Sequence, residues 1–227
     1  MVTGRWNTIA TATTADGPLE LNRHDSGAFL IMIDGRVLMD SHANRSEVAL
    51  GELACHDLPF RDGPRVLCAG LGMGCTLRAA LDTLPQDASV EVCELNEAIV
   101  RWCRGPLASV NGDVLSDGRV QVHDDDVAAH IARRADDPDA PRFDCIILDL
   151  NVGPHASDDA ATDPFYGAHA LARTRCALSA GGVLAVWGET HEPAFERRLA
   201  NAGFHVEVSI HGRGGRKHAV YLAKLPG

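Results

Sequence analysis

Three glycines and one glutamate have the residue types and the spacing of a nucleoside-binding site. An apolar run is followed by Gly70, Gly72 and Gly74, then by a helix-like stretch and a second apolar run that ends at Glu94. Glycine lets the backbone turn tightly and approach a ligand where a Cβ atom would collide, and Glu94 stands where a carboxylate can accept hydrogen bonds from both hydroxyls of a ribose. The order of loop, helix, strand and acid predicts a nucleoside-cofactor site. The alternative is a purely structural turn.

Two more acidic features follow later strand-like runs. The acidic run 124–126 comes after the third strand-like run, and Asp149 ends the fourth. Because parallel strands bring their carboxyl ends to one edge of a sheet, Asp149 is expected beside the cofactor as a base or an orienting group. The alternatives are structural: Asp149 would cap the loop 151–154, and the acidic run would cap a helix that begins at Val127.

The rest of the chain supplies the elements that would position these residues. From Arg65 onward, strand-like and helix-like segments alternate, which predicts a mostly parallel, doubly wound α/β sheet of the Rossmann type. Asn96 would cap the helix after the second strand, and Asp163-Pro164 would open the helix before the fifth strand at 182–187.

The C-terminal end discriminates among folds of this class. Alternating apolar residues mark a strand at 204–210, and a second strand-like run follows at 218–223 after the short Gly/Arg-rich segment 211–217. Because this segment is too short to hold the crossover that parallel neighbours require, these two strands must form an antiparallel hairpin. This is the architecture of class I S-adenosylmethionine (SAM)-dependent transferases. An NAD dehydrogenase, the alternative, would need a second domain for its substrate.

The first part of the chain has a different pattern. An apolar run at 28–33 and the tight-turn pair Asp34-Gly35 predict a small antiparallel β meander, and apolar residues at helical spacing between 41 and 57 predict a linking helix. The expected organisation is an N-terminal unit of residues 1–57 and a SAM-binding domain of residues 58–227.

Composition excludes several classes of partner. Lys and Arg number 21 against 31 Asp and Glu, a net charge of −10, so the protein would repel the backbone of a nucleic acid, which is not an expected partner. The sequence lacks a membrane-span stretch and a signal peptide, which predicts a cytoplasmic protein without membrane contact. The seven cysteines are expected to be reduced core residues, and no metal site is expected.

The full run of motifs resembles the spermidine synthase-like family over most of the chain. Residues 47–52 resemble its Gln/Tyr-His-Glu region, residues 69–74 lie in its Gly-rich loop, and residues 149–154 resemble its D-S-x-D-P-x-G-P segment. The resemblance implies a class I fold and SAM as the cofactor.

The resemblance also implies roles for single residues. Glu94 would bind the ribose, Asp126 the adenine amino group with Val127 next to it, and Asp149 would face the reacting centre. The residues expected to contact substrate are Glu47, Glu52, Tyr166 and Trp187. For the two aromatic residues the alternative is an ordinary core position.

The departures from the family fall on its substrate positions. The family's Tyr-His pair is Leu50-Gly51 here, its loop aspartate is Met73, and the second aspartate of its D-S-x-D pair is Val152. A polyamine needs several carboxylates to replace water around its ammonium groups, and two of them are absent. An aspartate at position 73 would also repel the carboxylate that SAM carries and its decarboxylated analogue lacks. These departures favour methyl transfer over aminopropyl transfer.

The expected function is therefore that of a SAM-dependent methyltransferase acting on a small molecule, which is the expected partner. Two alternatives stay open: an aminopropyltransferase that uses decarboxylated SAM, and a SAM-binding module without turnover. The sequence also leaves a homodimer open.

Overall fold

The structure, a computed structural model, describes residues 4–15, 17–58, 61–155, 162–212 and 217–227. Within these ranges the chain forms one β sheet of four strands and one of seven. None of the helices in the same ranges combines the length and the apolar character that crossing a membrane requires.

The N-terminal sheet is an antiparallel meander in the order β1-β2-β3-β4. Its strands are β1 (Trp6–Thr14), β2 (Gly17–His24), β3 (Phe29–Ile33) and β4 (Arg36–Asp40). Asp34 and Gly35 have φ values of 47° and 73°, as a two-residue type I′ turn requires, which confirms the predicted hairpin. The sequence pattern does not predict β1, because this edge strand is exposed along most of its length and its apolar alternation is weak.

The second sheet has the order β10-β11-β9-β8-β5-β6-β7. Its strands are β5 (Arg65–Ala69), β6 (Ser89–Cys93), β7 (Val120–His123), β8 (Phe143–Leu148), β9 (Leu178–Gly188), β10 (His205–His211) and β11 (His218–Lys224). Strands β5 to β9 run parallel, whereas β11 is antiparallel to both β9 and β10. The predicted fold class is confirmed. Residues 213–216 of the hairpin tip lie outside the described residues.

Helices connect the strands. They are α1 (Arg45–Cys55), α2 (Cys75–Thr83), α3 (Glu97–Arg104), α4 (Ala108–Asn111), α5 (Val127–Asp136), α6 (Ala168–Ala177) and α7 (Pro193–Asn201). Asn96 caps α3 as predicted, since its Oδ1 accepts from Ala98 N at 3.1 Å. Helix α6 begins later than predicted, because Asp163 Oδ1 accepts from the main-chain N–H groups of Phe165 and Tyr166 and closes a separate turn ahead of the helix.

One apolar cluster joins the two sheets. Fully buried Leu21 of β2, Leu50 of α1 and Val66 of β5 all belong to it. Helix α1, which the boundary at residue 57 assigns to the N-terminal unit, packs against α2, β9 and β11. This packing lets residues of β4 and α1 reach the carboxyl ends of the parallel strands.

The contact between α1 and α2 is closest at Gly51. A Cβ atom there would lie 2.4 Å from the main-chain oxygen of Thr76 and 2.8 Å from Cβ of Ala79. A glycine at this position therefore lets the two helices approach each other.

We expect Gly51→Ala to lower the free energy of unfolding by about 1–3 kcal/mol, because the added methyl group overpacks the helix contact. Urea unfolding measures the change. Gly118→Ala is the matched control, because no atom lies within 4 Å of a Cβ built there. Equal unfolding midpoints for the two variants would contradict the expectation.

Candidate functional site

The glycine loop turns between β5 and α2 with three residues in the left-handed region. The φ angles of Gly70, Gly72 and Gly74 are 85°, 51° and 82°. A Cβ atom on Gly70 would lie 2.2 Å from the main-chain oxygen of Asp149, so only glycine fits there. Gly70 N donates to the last carbonyl of β6 at 3.0 Å, and Asp149 N donates to the last carbonyl of β5 at 2.9 Å. These contacts hold the ends of β5, β6 and β8 together.

Gly72 faces the N-terminal sheet. A Cβ atom on it would lie 2.4 Å from Met39 Sδ of β4. Met39 therefore fills the space that a side chain at Gly72 would take, so that space is not left open for a ligand. Strand β4 covers the glycine loop at this point.

Glu94 follows β6 and closes the other side of the loop. Its Oε2 accepts from Leu71 N at 3.0 Å, and its Oε1 accepts from Asn96 N at 2.8 Å. Burial raises the pKa of this carboxyl group, and the main-chain hydrogen bonds oppose that rise. A carboxylate has about four acceptor positions, so both oxygens can also accept from ribose hydroxyls. Leu95 is next in the chain and is 71% exposed, which offers an apolar surface for a nucleobase.

The acidic run 124–126 immediately precedes α5, and its middle residue belongs to an ionic network. Asp126 Oδ1 accepts from Ala129 N at 2.8 Å, which is the capping role named as the alternative, and Val127 is buried at the start of the helix. Capping uses one carboxylate oxygen of Asp126, so a contact with an adenine amino group is compatible with it.

The network ties Asp125 to β6. His130 Nδ1 lies 3.2 Å from Asp125 Oδ2, and its Nε2 lies 2.8 Å from Glu91 Oε2. Arg134 donates to Glu91 Oε1 at 2.5 Å, and Arg133 pairs with Asp125. These pairs hold the acidic turn against the sheet.

Asp149 lies at the carboxyl end of β8. Its Oδ2 is 2.5 Å from Thr76 Oγ1, so its contact is with α2 rather than with the loop 151–154. Burial raises the pKa of Asp149 to about 7, the hydrogen bond of Thr76 acts to lower it, and the charge of Glu47 acts to raise it. A carboxyl group with this pKa exchanges its proton near neutral pH and suits a general base.

Helix α1 brings Glu47 to the same place. Ser46 Oγ donates to Glu47 Oε2 at 2.6 Å and accepts from Trp187 Nε1 at 3.2 Å. The Trp187 ring packs on His218 with 4.9 Å between ring centroids. The structure thus brings Glu47, Trp187 and Asp149 together at one end of the sheet.

Two of the predicted substrate residues lie elsewhere. Glu52 is exposed, and the helical repeat turns it about 140° away from Glu47 around α1. Tyr166 is 3% exposed, packs edge-to-face on Phe195 at 5.5 Å, and donates its hydroxyl to the main-chain oxygen of Val152 at 2.9 Å. Tyr166 therefore has the core position named as its alternative, and it supports the loop after β8.

Two of the residues that depart from the family motifs, Met73 and Leu50, have packing roles. Met73 is 0% exposed in the core, and its main-chain oxygen accepts from Asn111 Nδ2 at 3.1 Å. A side chain without exposure does not itself contact a donor. The carboxylate of the family is nevertheless absent at position 73, so the preference for methyl transfer that was argued from its absence stays a prediction. Leu50 is also fully buried, whereas Val152 is 61% exposed.

Sequence reasoning misses Thr76, Leu95 and Met39. Thr76 and Leu95 could have been found by position, since one opens the helix after the glycine loop and the other follows Glu94. Met39 had no such signal, because it reaches the loop only through tertiary packing. Across the described ranges, no three His, Cys, Asp or Glu side chains come together as a metal-ion site.

The sheet order and the glycine loop define a class I SAM-dependent fold. The chain is similar to the spermidine synthase of Thermotoga maritima, with a TM-score of 0.67 and 17% identity over 96% of this chain and 72% of that one. A spermidine synthase in complex with the transition-state analogue AdoDATO gives a TM-score of 0.67, 16% identity and the same coverage, 96% and 72%. Human methyltransferase-like protein 13 in complex with S-adenosylhomocysteine (SAH) gives 0.57 and 20% identity over 79% of each chain. The chain has a spermidine synthase-like class I fold, as its motifs predict.

A curated protein extends this similarity to sequence. A polyamine aminopropyltransferase of Prochlorococcus marinus (strain MIT 9312) is 26% identical over 127 residues, which are 56% of this chain and 41% of that protein. The match therefore spans less than half of the relative's length. No protein-family model matches the chain.

We expect Glu91 to stabilise the fold above pH 4.5 and to lose this contribution as the pH falls toward 2. Burial by itself would raise the pKa of Glu91, but hydrogen bonds from His130 and Arg134 lower it from 4.5 to about 2. A carboxyl group whose pKa is lower in the folded state stabilises that state once it ionises, here by roughly 2–3 kcal/mol.

Urea unfolding at pH 7 and at pH 3 of wild type and Glu91→Gln measures this contribution. The wild type should lose more stability than the variant between the two pH values. Glu207→Gln, an exposed position on β10, is the control and should behave as wild type. An equal loss in wild type and Glu91→Gln would contradict the assignment.

Proposed function

We propose that the protein transfers an aminopropyl group from decarboxylated SAM to an amine of a small molecule. The observation that chiefly supports this proposal is the pair of carboxyl groups of Asp149 and Glu47, placed together at the strand ends beside Trp187. Carboxylates and aromatic faces are the groups that hold ammonium ions away from water. An amine acceptor fits these groups better than an anionic or apolar one.

The nucleoside part of the donor would lie along the glycine loop. Glu94 would accept from the ribose hydroxyls, and Leu95, Asp126 and Val127 would surround the adenine. Ligands of open α/β sheets bind at the carboxyl ends of the strands, where these residues stand. When bound, the donor supplies a sulfonium that activates its alkyl groups toward a nucleophile.

The chain's own residues would orient the acceptor and remove a proton. Glu47 would bind an ammonium group of the acceptor beside the Trp187 ring. Ionised Asp149 would accept the proton of the reacting nitrogen as this nitrogen bonds to the alkyl carbon and the carbon–sulfur bond breaks with its electron pair going to sulfur. Because burial raises the pKa of Asp149 to about 7, the ionised fraction of this base increases as the pH passes through neutrality.

Two observations favour aminopropyl transfer over methyl transfer. The carboxyl groups of Asp149 and Glu47 stand together beside Trp187, where they suit a cationic acceptor. The similar proteins include spermidine synthases and a polyamine aminopropyltransferase. Methyl transfer is the second candidate. One support for methyl transfer is Val152, which is exposed at a position where the family that the sequence resembles has an aspartate. The other is the similarity to human methyltransferase-like protein 13.

The by-product identifies the reaction. With decarboxylated SAM and putrescine as probes, we expect methylthioadenosine, because transfer of the aminopropyl group leaves that nucleoside. SAH formed from SAM, without methylthioadenosine, would replace the proposal by methyl transfer. Nucleoside binding in calorimetry without either by-product would favour a non-catalytic module.

A pair of variants on one helix checks the acceptor site in the same assay. Glu47→Gln should raise KM for the amine roughly ten- to hundredfold, because it removes a charge from a partly buried ammonium site. Glu52→Gln removes the same charge from an exposed position of α1 and should leave KM unchanged.

Glu94→Gln should weaken binding of methylthioadenosine about ten- to hundredfold, because the ribose hydroxyls lose a charged acceptor. Isothermal titration calorimetry measures the affinity. Glu97→Gln removes an equal charge from an exposed position at the start of α3 and is the control. A thermal melt of each variant shows whether the substitution also lowers the stability of the fold. Unchanged affinity in Glu94→Gln would remove Glu94 from the site.

A further inference from the structure

The hydroxyl of Thr76 lies between two oxygens that accept hydrogen bonds. Thr76 is 2% exposed in the first turn of α2. Its Oγ1 is 2.5 Å from Asp149 Oδ2 and 3.2 Å from the main-chain oxygen of Glu47. A hydroxyl group has one proton to donate, so it cannot donate to a carbonyl and an ionised carboxylate at the same time.

Both contacts can be hydrogen bonds when Asp149 holds a proton. Asp149 then donates to Thr76 Oγ1, and the Thr76 hydroxyl donates to the main-chain oxygen of Glu47. When Asp149 is ionised, the Thr76 hydroxyl rotates and donates to the carboxylate. The Glu47 carbonyl loses little in that state, because it is inside α1 and accepts from the helix.

We propose that Thr76 is a positioning residue whose hydroxyl reverses its donor direction each time Asp149 gains or loses a proton. The contact at 2.5 Å would then hold the Asp149 side chain in one place in both protonation states. The inference rests on the proposed function only in taking Asp149 as the base. The proton that Asp149 accepts comes from the acceptor amine, and Thr76 neither gains nor loses a proton in net terms.

The surroundings of Asp149 support two accessible protonation states. Glu47 of α1 faces it with a negative charge, and the thiols of Cys68 in β5 and Cys75 in α2 are near enough to interact with it. Burial raises the pKa of both thiols, so they stay neutral near pH 7. Burial likewise raises the pKa of Asp149 to about 7, so both of its forms are populated at neutral pH.

The hydroxyl of Thr76 links three elements. Because Thr76 lies in the first turn of α2, no carbonyl of its own helix stands four residues before it to accept from its hydroxyl. The hydroxyl joins α2 to α1 and to the end of β8. A purely structural tie would keep one donor direction, whereas the proposed role requires two. The frequency of the C=O band reports the contact of the protonated carboxyl group, and the titration midpoint reports the contact that stabilises the ionised one.

Infrared spectroscopy of the C=O stretch of the protonated carboxyl group tests the proposal on the whole protein. Asp149→Asn identifies the band, and its pH titration is compared in wild type, Thr76→Ser and Thr76→Val. A hydrogen bond to an ionised group is stronger than one to a neutral group, so Thr76→Val should raise the titration midpoint by about one pH unit. Thr76→Ser, which keeps the hydroxyl, should restore both the midpoint and the band frequency of the wild type.

A midpoint or a band frequency that is the same in wild type and Thr76→Val would overturn the proposal, because one of the two donor directions would then be absent. Circular dichroism checks that the variants fold, and Thr76→Ala is the second variant without a hydroxyl. Unfolding of both Thr76→Val and Thr76→Ala would also overturn it, since the contact would then serve only to hold the helices. The by-product assay with decarboxylated SAM and putrescine tests the proposed function separately, because the infrared result does not depend on turnover.

Discussion

The close approach of the backbone at Gly70 to the backbone at Asp149 is the constraint on which the rest of the site depends. The distance of 2.2 Å from a hypothetical Gly70 Cβ to the Asp149 oxygen leaves no room for any side chain. With the chain this close, the glycine loop, the end of β6 and the end of β8 form one edge. Glu94 and Asp149 are therefore on opposite sides of the same loop, because β6 and β8 flank β5.

A second close approach, between α1 and α2, completes the site from the N-terminal part of the chain. The absence of a side chain at Gly51 lets α1 lie against the first turns of α2. That contact places the Glu47 carbonyl on Thr76 and the Ser46 hydroxyl on Trp187. The shared apolar cluster holds the N-terminal sheet against the same part of the molecule, and Met39 of that sheet lies over Gly72. The candidate acceptor site is thus built from segments that are far apart in the sequence.

Two groups of carboxylates in the protein have opposite electrostatic surroundings. Glu91 is paired with His130 and Arg134, which lower its pKa to about 2 and make it a structural ion. Burial raises the pKa values of Asp149 and Glu94, whereas the Thr76 hydroxyl acts to lower that of Asp149 and main-chain amides act to lower that of Glu94. Carboxyl groups held in this way gain from the arrival of a cation, and both the sulfonium of the donor and the ammonium of an amine are cations.

Local patterns in the sequence are sufficient to predict the parallel sheet, the reversed hairpin at its end, the glycine loop and the placement of Glu94 and Asp149 at one edge. Each of these follows from local signals: strand periodicity, glycines in a turn, or a connection too short for a crossover. Which side chains converge depends on packing between elements. That packing brings Glu47 but not Glu52 to Asp149, places Met73 and Tyr166 in the core, and adds Thr76 and Met39. The direction of a side chain on a helix or loop depends on what packs against that element, and the packing partners here come from distant parts of the chain, so no local pattern records the outcome.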